Sequence, residues 1–386
     1  MKFLFFSSQS SYGTIEIYIR NLRRAITRAG HRTLIVKLNE KSSPGQFIRR
    51  FNRFKPDATL GINVNYFFLP GKRDFYDLTG VPHFSFFLDH PFYHLHNFHN
   101  PASENFYFSC PDRSHVEYVN ELWPMANVCF LPHAAARSEI VPNGRKIRNR
   151  GAFFGSPIAP PNSLLNKHRS RVPEIVLEIA VEAAIRLLKN PERPLHRMIR
   201  RLLKQKNQAG LYQLQKFRID LLYLTEQYFR ARARLNFFNR IRSLPVDIYG
   251  KENREIEARF ANSKLNFFPP LSHSEMLARI SEYNWTLNES CFFPRGSHKR
   301  VVDSLARGVP VVSTPSSHLE KQFSTGIAVE LSDLDRESSI AAAIKAIETR
   351  NLSAEPSKIT EELISAHATW SDRAEKIIRT LNSHGK

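Results

Sequence analysis

The segment Asn288–Ser313 carries most of the binding chemistry legible in the chain. An apolar strand pattern ends at Asn288, a loop containing Gly296 follows, and a helical pattern starts near Lys299. A loop feeding a helix N-terminus offers backbone N–H groups and the positive end of the helix dipole to phosphate oxygens. Ser297 and His298 stand at that entry, and Lys299 and Arg300 add cations suited to charge-assisted contacts. About one turn into the helix, Asp303 is placed to accept hydrogen bonds from ribose hydroxyls, as acids do in dinucleotide sites. Gly308 ends the helix and Val309–Ser313 resumes as a strand. Helix–glycine–strand joints also occur in α/β units that bind nothing, so the reading rests on the combination of Arg300, Asp303, Gly308 and Pro310.

A second group could move protons. Phe87-Leu88-Asp89-His90-Pro91-Phe92-Tyr93-His94 follows an apolar strand pattern, and so belongs at a strand's carboxyl end, where open α/β sheets bind ligands. Asp89 or His90 would then be a general base for an acceptor hydroxyl; a histidine titrates near neutrality and a neighbouring carboxylate can hold its tautomer. His133, after another strand pattern, is a second candidate base, or else a residue capping the strand end. His94, His96 and His99 are metal-ligand types, but their spacing matches no closed site, and a polar aromatic loop is the expectation.

These residues need elements to position them. Lys2–Phe6, Thr33–Lys37, Ala58–Ile62, His83–Leu88, Phe106–Cys110 and Val128–Leu131 read as short buried strands, with a helix over Ile15–Ala29 ended by Gly30. A second series runs through Ala152–Phe154, Val246–Tyr249, Asn266–Phe268, Thr286–Asn288, Val309–Ser313 and Ala328–Leu331. Strand–helix alternation of this kind predicts parallel sheets covered on both faces, and 386 residues predict two domains. The expected division is 1–150, 151–356 and a C-terminal helix in 357–386, anchored by Trp370. Within the second domain, 163–243 reads as a helical insert holding 18 Lys/Arg against 6 Asp/Glu, a net of +12 in a chain of net +20. Such charge favours an anionic partner without choosing among nucleic acid, membrane and phosphorylated substrate.

The run Asp303-Ser304-Leu305-Ala306-Arg307-Gly308-Val309-Pro310-Val311-Val312 resembles the E-A-x-A-x-G-x-P-V-V signature of GT-B glycosyltransferases (glycosyl transferases group 1-like). With Arg300 three residues ahead of the acid, it looks most like the CgeB-like branch, whose pattern is R-x-x-E/D. Val246–Gly250 followed by Phe267–Ser281 also fits the family, where a strand ending in Gly precedes a proline-rich turn that reads the base; Pro269, Pro270 and Leu271 stand at that turn. The resemblance implies an α/β GT-B fold, with two Rossmann-like domains facing a cleft. It implies hexosyl transfer from a nucleotide-diphosphate sugar to a glycan, lipid-linked or protein acceptor, with no cofactor and no metal.

By the same resemblance the loop Ser7–Gly13 faces the cleft, where Ser10, Ser11, Tyr12 and Gly13 offer hydroxyls and a permissive backbone. Gly155 and Ser156 stand where donor phosphates pass, the Asp89-His90-Pro91 run looks like a feature of the same branch, and His133 lines the cleft. One departure matters: many retaining members carry a second acid eight positions before the ribose acid, and here that position is Arg295. This moves the search for the catalytic group to Asp89, His90 and His133.

The basic stretch has three readings: anionic lipid, nucleic acid, or a solvated helical surface. A structural role is the safest part, and peripheral contact with an anionic membrane is the preferred functional addition, ahead of nucleic acid. The apolar run at the N-terminus is too short for a signal peptide core, and no stretch is long and apolar enough to span a bilayer. Cys110, Cys129 and Cys291 are odd in number and scattered, which fits a reducing compartment, so a cytoplasmic place is expected. The competing hypothesis is a non-catalytic basic binding protein on a degenerate scaffold of the same fold.

Overall fold

The computed structural model describes residues 1–7, 13–37, 44–63, 68–69, 73–97, 103–136, 139–141, 148–290, 293–323, 328–332, 336–351 and 355–383. Contacts divide the chain into two units, Met1–Glu139 with His367–Lys386, and Ile140–Ala366.

The first unit runs β1 (Lys2–Ser7), α1 (Thr14–Arg28), β2 (Arg32–Lys37), α2 (Pro44–Phe54), β3 (Ala58–Ile62), β4 (Phe68–Leu69), β5 (Arg73–Asp74), α3 (Phe75–Thr79), β6 (His83–Phe86), β7 (Phe106–Cys110), α4 (Arg113–Leu122) and β8 (Asn127–Phe130). Its main sheet is parallel, in the order β2-β1-β3-β6-β7-β8; β4 and β5 form a separate antiparallel pair. The sequence of β1 shows why the sheet is covered twice. Phe3 and Phe5 join Tyr18, Ile19, Leu22 and Ile26 of α1 on one face, while Leu4 and Phe6 meet Phe47, Phe51, Phe75 and Tyr76 on the other. An unbroken apolar run is what a strand buried on both faces requires.

The second unit runs β9 (Arg148–Phe154), α5 (Pro161–His168), α6 (Glu174–Lys189), α7 (Leu195–Gln205), α8 (Gln215–Ile241), β10 (Val246–Tyr249), α9 (Arg254–Arg259), β11 (Leu265–Phe268), α10 (His273–Ile280), β12 (Tyr283–Asn288), α11 (Lys299–Ala306), β13 (Val311–Ser313), α12 (Ser317–Gln322), β14 (Val329–Leu331), α13 (Glu337–Thr349) and α14 (Pro356–Ser365). Its sheet is parallel, in the order β11-β10-β9-β12-β13-β14. The chain builds outward from β9 to β11, then returns to the other side of β9 for β12. The reversal opens a crevice at the carboxyl ends of β9 and β12, the place where such sheets bind ligands. In the first unit the corresponding reversal lies between β1 and β3.

Two expectations change. The strand expected at Ala152 begins at Arg148, because Arg148 and Arg150 both reach the fully buried Asp247 of β10, which also accepts from the Tyr283 hydroxyl at 2.7 Å and from Asn266. Strand cations with a buried carboxylate to meet leave no apolar signature. The single C-terminal helix is two: α14 ends at Ser365, His367 takes a φ of 50°, and Thr369 opens α15 (Trp370–Asn382) with a reciprocal cap to Asp372. Capping of this kind satisfies orphan N–H groups at a helix start, so it marks a new helix rather than a bend. α15 belongs to the first unit, where Trp370 packs edge-on to Tyr18 and against Phe86, and Ile377 and Leu381 complete the α1 face of the core. Among the described residues no helix is long and apolar enough to cross a membrane.

His83, at the start of β6, is buried between the Tyr76 and Phe106 rings and bonds the Thr59 hydroxyl at 2.8 Å. Burial disfavours the imidazolium and pushes its pKa down to about 3. Between about pH 6.5 and pH 3 the unfolded chain therefore holds a proton that the folded chain refuses, and stability falls as pH falls through that window. His83→Phe keeps a flat ring but removes this titration. Its melting temperature should decline less steeply than the parent's from pH 6.5 to pH 4; parallel declines would show that His83 does not carry the acid sensitivity.

Candidate functional site

In the second unit the crevice between β9 and β12 gathers most of the residues picked out in the sequence. β9 runs out at Phe154 into Gly155 and Ser156. On the β10 side backbone closes the gap: Gly155 N donates to Tyr249 O, and Lys251 N donates to Ser156 Oγ, both at 2.9 Å. On the β12 side a side chain spans it. Arg234, from α8, donates through Nη1 to Ser156 O at 2.7 Å and through Nε to Glu289 Oε2 at 3.0 Å, and its Nη2 lies 2.9 Å from the same oxygen as an ion pair. Arg234 and Glu289 are each only 5% exposed, so this ion pair is a buried one. Its guanidinium also lies 4.6 Å from the centre of the Phe153 ring.

The loop after β12 leads to α11 as the spacing predicts. His298 is the N-cap, accepting through Nδ1 from Arg300 N at 3.3 Å and from Arg300 Nε at 3.1 Å. Arg300 is held along the imidazole edge and sits 4.9 Å from the Phe153 ring centre, so two guanidiniums share one aromatic ring. Such contacts favour cations over an aromatic face. Lys299 pairs with Asp303 Oδ1 four residues on. Asp303 is 1% exposed, and its Oδ2 has no hydrogen-bond partner among the described residues; neither does the buried Ser297 Oγ. Buried polar atoms are nearly always satisfied, and these two, near one helix start, could take hydrogen bonds from a bound molecule. Gly308, at φ 65°, then ends α11 with no room for a side chain against Pro356.

The proline turn lies beside this acid. Pro269 and Pro270 are exposed, and Leu271 is half-buried against the core that holds Phe154 and Tyr249. Ser272 opens α10 with a reciprocal cap to Glu275. His273, the first residue of that helix, brings a ring nitrogen within 4.8 Å of an Asp303 carboxylate oxygen. The structure therefore brings together Gly155, Leu271, Ser297, His298, Lys299, Arg300 and Asp303 around one end of one sheet.

In the first unit Gly13 begins α1 at φ 67°, and a Cβ built there would meet nothing within 4 Å. Ser10, Ser11, Tyr12, His99 and Cys291 lie outside the described residues, as does the side chain of His96. Asn63, just past β3, accepts from Leu88 N at 2.9 Å and fixes the turn after β6. That turn leaves Asp89 exposed and His90 buried. His90 accepts from Phe92 N through Nδ1 at 3.2 Å and packs 4.3 Å from the His115 ring and 4.9 Å from Tyr118. His133 approaches the Tyr18 hydroxyl at 3.4 Å through Nδ1, and its carbonyl accepts from Arg373. The turns after β6 and β8 are separated in the sheet by β7, so His90 and His133 belong to different strand ends.

In the sequence Arg234 reads only as one of a basic cluster with Arg230 and Arg232 in the helical stretch, and Glu289 takes no role. The available signal was Arg234 itself: it shares a helix face with Phe238 and Ile241, four and seven residues on, and both are fully buried. A charge on an apolar stripe must find a partner inside.

Residues 230–379 match the family model described as Glycosyl transferase-like, a span that takes in Arg234, Glu289, Arg300 and Asp303. No curated protein matches the chain. Solved structures do. A glycosyltransferase from Rickettsia africae ESF-5 is 9% identical with a TM-score of 0.54, over 100% of this chain and 98% of that one. A sucrose-phosphate synthase from Thermosynechococcus elongatus is 8% identical with a TM-score of 0.53, over 99% and 98%. An alpha-glucosyltransferase in complex with UDP and a 13-mer DNA is 11% identical with a TM-score of 0.53, over 99% of both chains. The chain thus has the GT-B fold of glycosyltransferase structures, with two parallel six-stranded sheets flanked by helices.

Gly155 leaves little room for a side chain. A Cβ there would come 2.8 Å from the Phe153 ring and 3.2 Å from Arg234 Nη1. Gly155→Ala should cost about 1–3 kcal/mol through forced displacement of both groups. Denaturant unfolding measures it; an unchanged midpoint would mean that Phe153 and Arg234 shift freely.

Proposed function

We propose that the protein transfers a hexosyl group from a nucleotide-diphosphate sugar to a hydroxyl of a glycan, lipid-linked or protein acceptor. The observation that carries this reading is Asp303: a buried carboxylate early in α11, just past the crevice, with one oxygen on Lys299 and the other lacking a partner among the described residues. Ribose hydroxyls would satisfy that oxygen, Ser297 and the α11 N-terminus would meet the diphosphate, and the Leu271 turn would meet the base. The family-model match and the UDP held by a similar solved structure support the donor class. We assign the proton-accepting role to the Asp89–His90 pair at the end of β6, with His133 as the second candidate, and the reaction as proposed uses no resident metal.

A screen of thermal stability against UDP, GDP, ADP and TDP tests the donor. One nucleotide should stabilise selectively, by about 2.7 kcal/mol when present at a hundred times its Kd. Asp303→Ala should then weaken that nucleotide roughly tenfold while the chain stays folded, since hydrogen bonds to a charged group contribute about 1.5–3 kcal/mol. No response to any nucleotide, beside steeply salt-dependent binding to any polyanion, would favour a non-catalytic binding protein instead.

We further propose peripheral contact with the anionic cytoplasmic face of a membrane. Arg197, Arg200, Arg201 and Lys204 recur along the exposed face of α7, while Met198, Ile199, Leu202 and Leu203 are buried on the other. A cation near such a surface contributes about 1 kcal/mol, and salt screens it. The protein should sediment with phosphatidylglycerol-containing vesicles, progressively less as salt rises, and less again as the Arg201→Glu/Lys204→Glu variant. Equal sedimentation with pure phosphatidylcholine, or preference for duplex DNA over the anionic vesicles, would overturn this.

A further inference from the structure

The Arg234–Glu289 pair occupies the ligand end of the second sheet while belonging to neither the α11 helix start nor the proline turn. A buried Arg–carboxylate pair costs so much to desolvate that apolar residues of similar volume usually serve stability as well or better. α8 has apolar neighbours on the same face, so packing alone gives no reason for the charge. Position does. The Arg234 guanidinium links Ser156, just past β9, to Glu289, just past β12, and so bridges the two strands at which the sheet order reverses. It shares the Phe153 ring with Arg300 of α11. Gly155, next to Ser156, lets the Phe153 ring and the guanidinium lie close against the backbone, where a Cβ would crowd both.

A guanidinium has five N–H donors. One Nη1 donor goes to Ser156 O and the Nε donor to Glu289 Oε2, with Nη2 also held against that oxygen, so the two outer nitrogens keep donors for another acceptor. Arginine suits phosphate because its planar fork gives two parallel, charge-assisted hydrogen bonds.

Building on the donor reading above, we propose that Arg234 binds the diphosphate of the nucleotide donor, and that Glu289 sets how strongly. Glu289 holds the guanidinium across the crevice and cancels its charge. It therefore orients Arg234 and at the same time weakens its pull on an anion. α8, at the end of the basic helical stretch, then contributes directly to the donor site, and α11 is not the sole source of cations there.

The proposal makes opposite predictions for the two partners. Glu289→Gln keeps an acceptor for Arg234 but removes the negative charge, so the stabilising nucleoside diphosphate should bind several-fold tighter. Arg234→Met keeps the bulk and removes the charge and the donors, so the same diphosphate should bind at least about tenfold more weakly. The corresponding nucleoside, lacking phosphates, should bind all three proteins alike. Isothermal titration of the full-length proteins reads each affinity, with circular dichroism confirming that each variant is folded; Arg234→Lys, which keeps the charge, replaces Arg234→Met if the latter unfolds and should weaken the diphosphate less severely. A purely structural pair would lower the melting temperature of both variants and leave both diphosphate affinities equal to the parent's, which would overturn the proposal. If the parent protein itself binds no nucleoside diphosphate, the donor reading fails first and the role of Arg234 falls with it.

Discussion

A parallel sheet covered by helices on both faces leaves polar chemistry few places to go. Its faces must be apolar, as the Phe3–Phe6 run demonstrates, and its amino ends are taken up by incoming connections. The second sheet uses even that end for structure: Asp247 is buried among Arg148, Arg150, Asn266 and Tyr283, and the Tyr283 phenol is driven well above its ordinary range by its own burial and by its hydrogen bonds with Tyr249 and Asp247. What remains for ligands is the carboxyl edge, and within it the gap where strand order reverses. The placing of Gly155, Glu289, Ser297, Arg300 and Asp303 follows from that one restriction.

Inside the gap, charge is arranged by pairing. Lys299 is taken by Asp303, Arg234 by Glu289, and Arg300 is laid along His298 and Phe153. In a low-dielectric setting each pairing fixes a side chain firmly, because the alternative is an uncompensated charge. The result is a set of cations with fixed geometry; under the proposed function they would meet an anion with little reordering on association.

The legibility of this architecture in the sequence follows its physics. Apolar runs such as Phe106–Cys110 and Val246–Tyr249 announce buried strands because their partners are the helices beside them, and the loop-to-helix pattern at Ser297–Asp303 is local by nature. What stayed hidden depends on contacts distant in sequence. Arg148 and Arg150 lie within a strand only because Asp247, about a hundred positions on, receives them. Arg234 reads as one of three cations in a helix until Glu289 supplies its partner. The break before Trp370 was local, in the Thr369–Asp372 cap, yet the apolar periodicity runs across it and conceals it. His90 and His133 were both legible as strand-end histidines, but their assignment to separate strand ends needed the order of the sheet.

The return of α15 to the first unit has a temporal meaning. One face of the β1 sheet closes on Trp370, Ile377 and Leu381. During synthesis β1, α1 and their neighbours leave the ribosome first, while the residues that seal them are translated after the whole second unit. Phe3, Phe5 and Tyr18 must wait with part of their apolar cover missing. The nascent first unit is therefore the vulnerable species in biogenesis, the one a chaperone would be needed to shield, and its folding is tied to the last turns of a single helix.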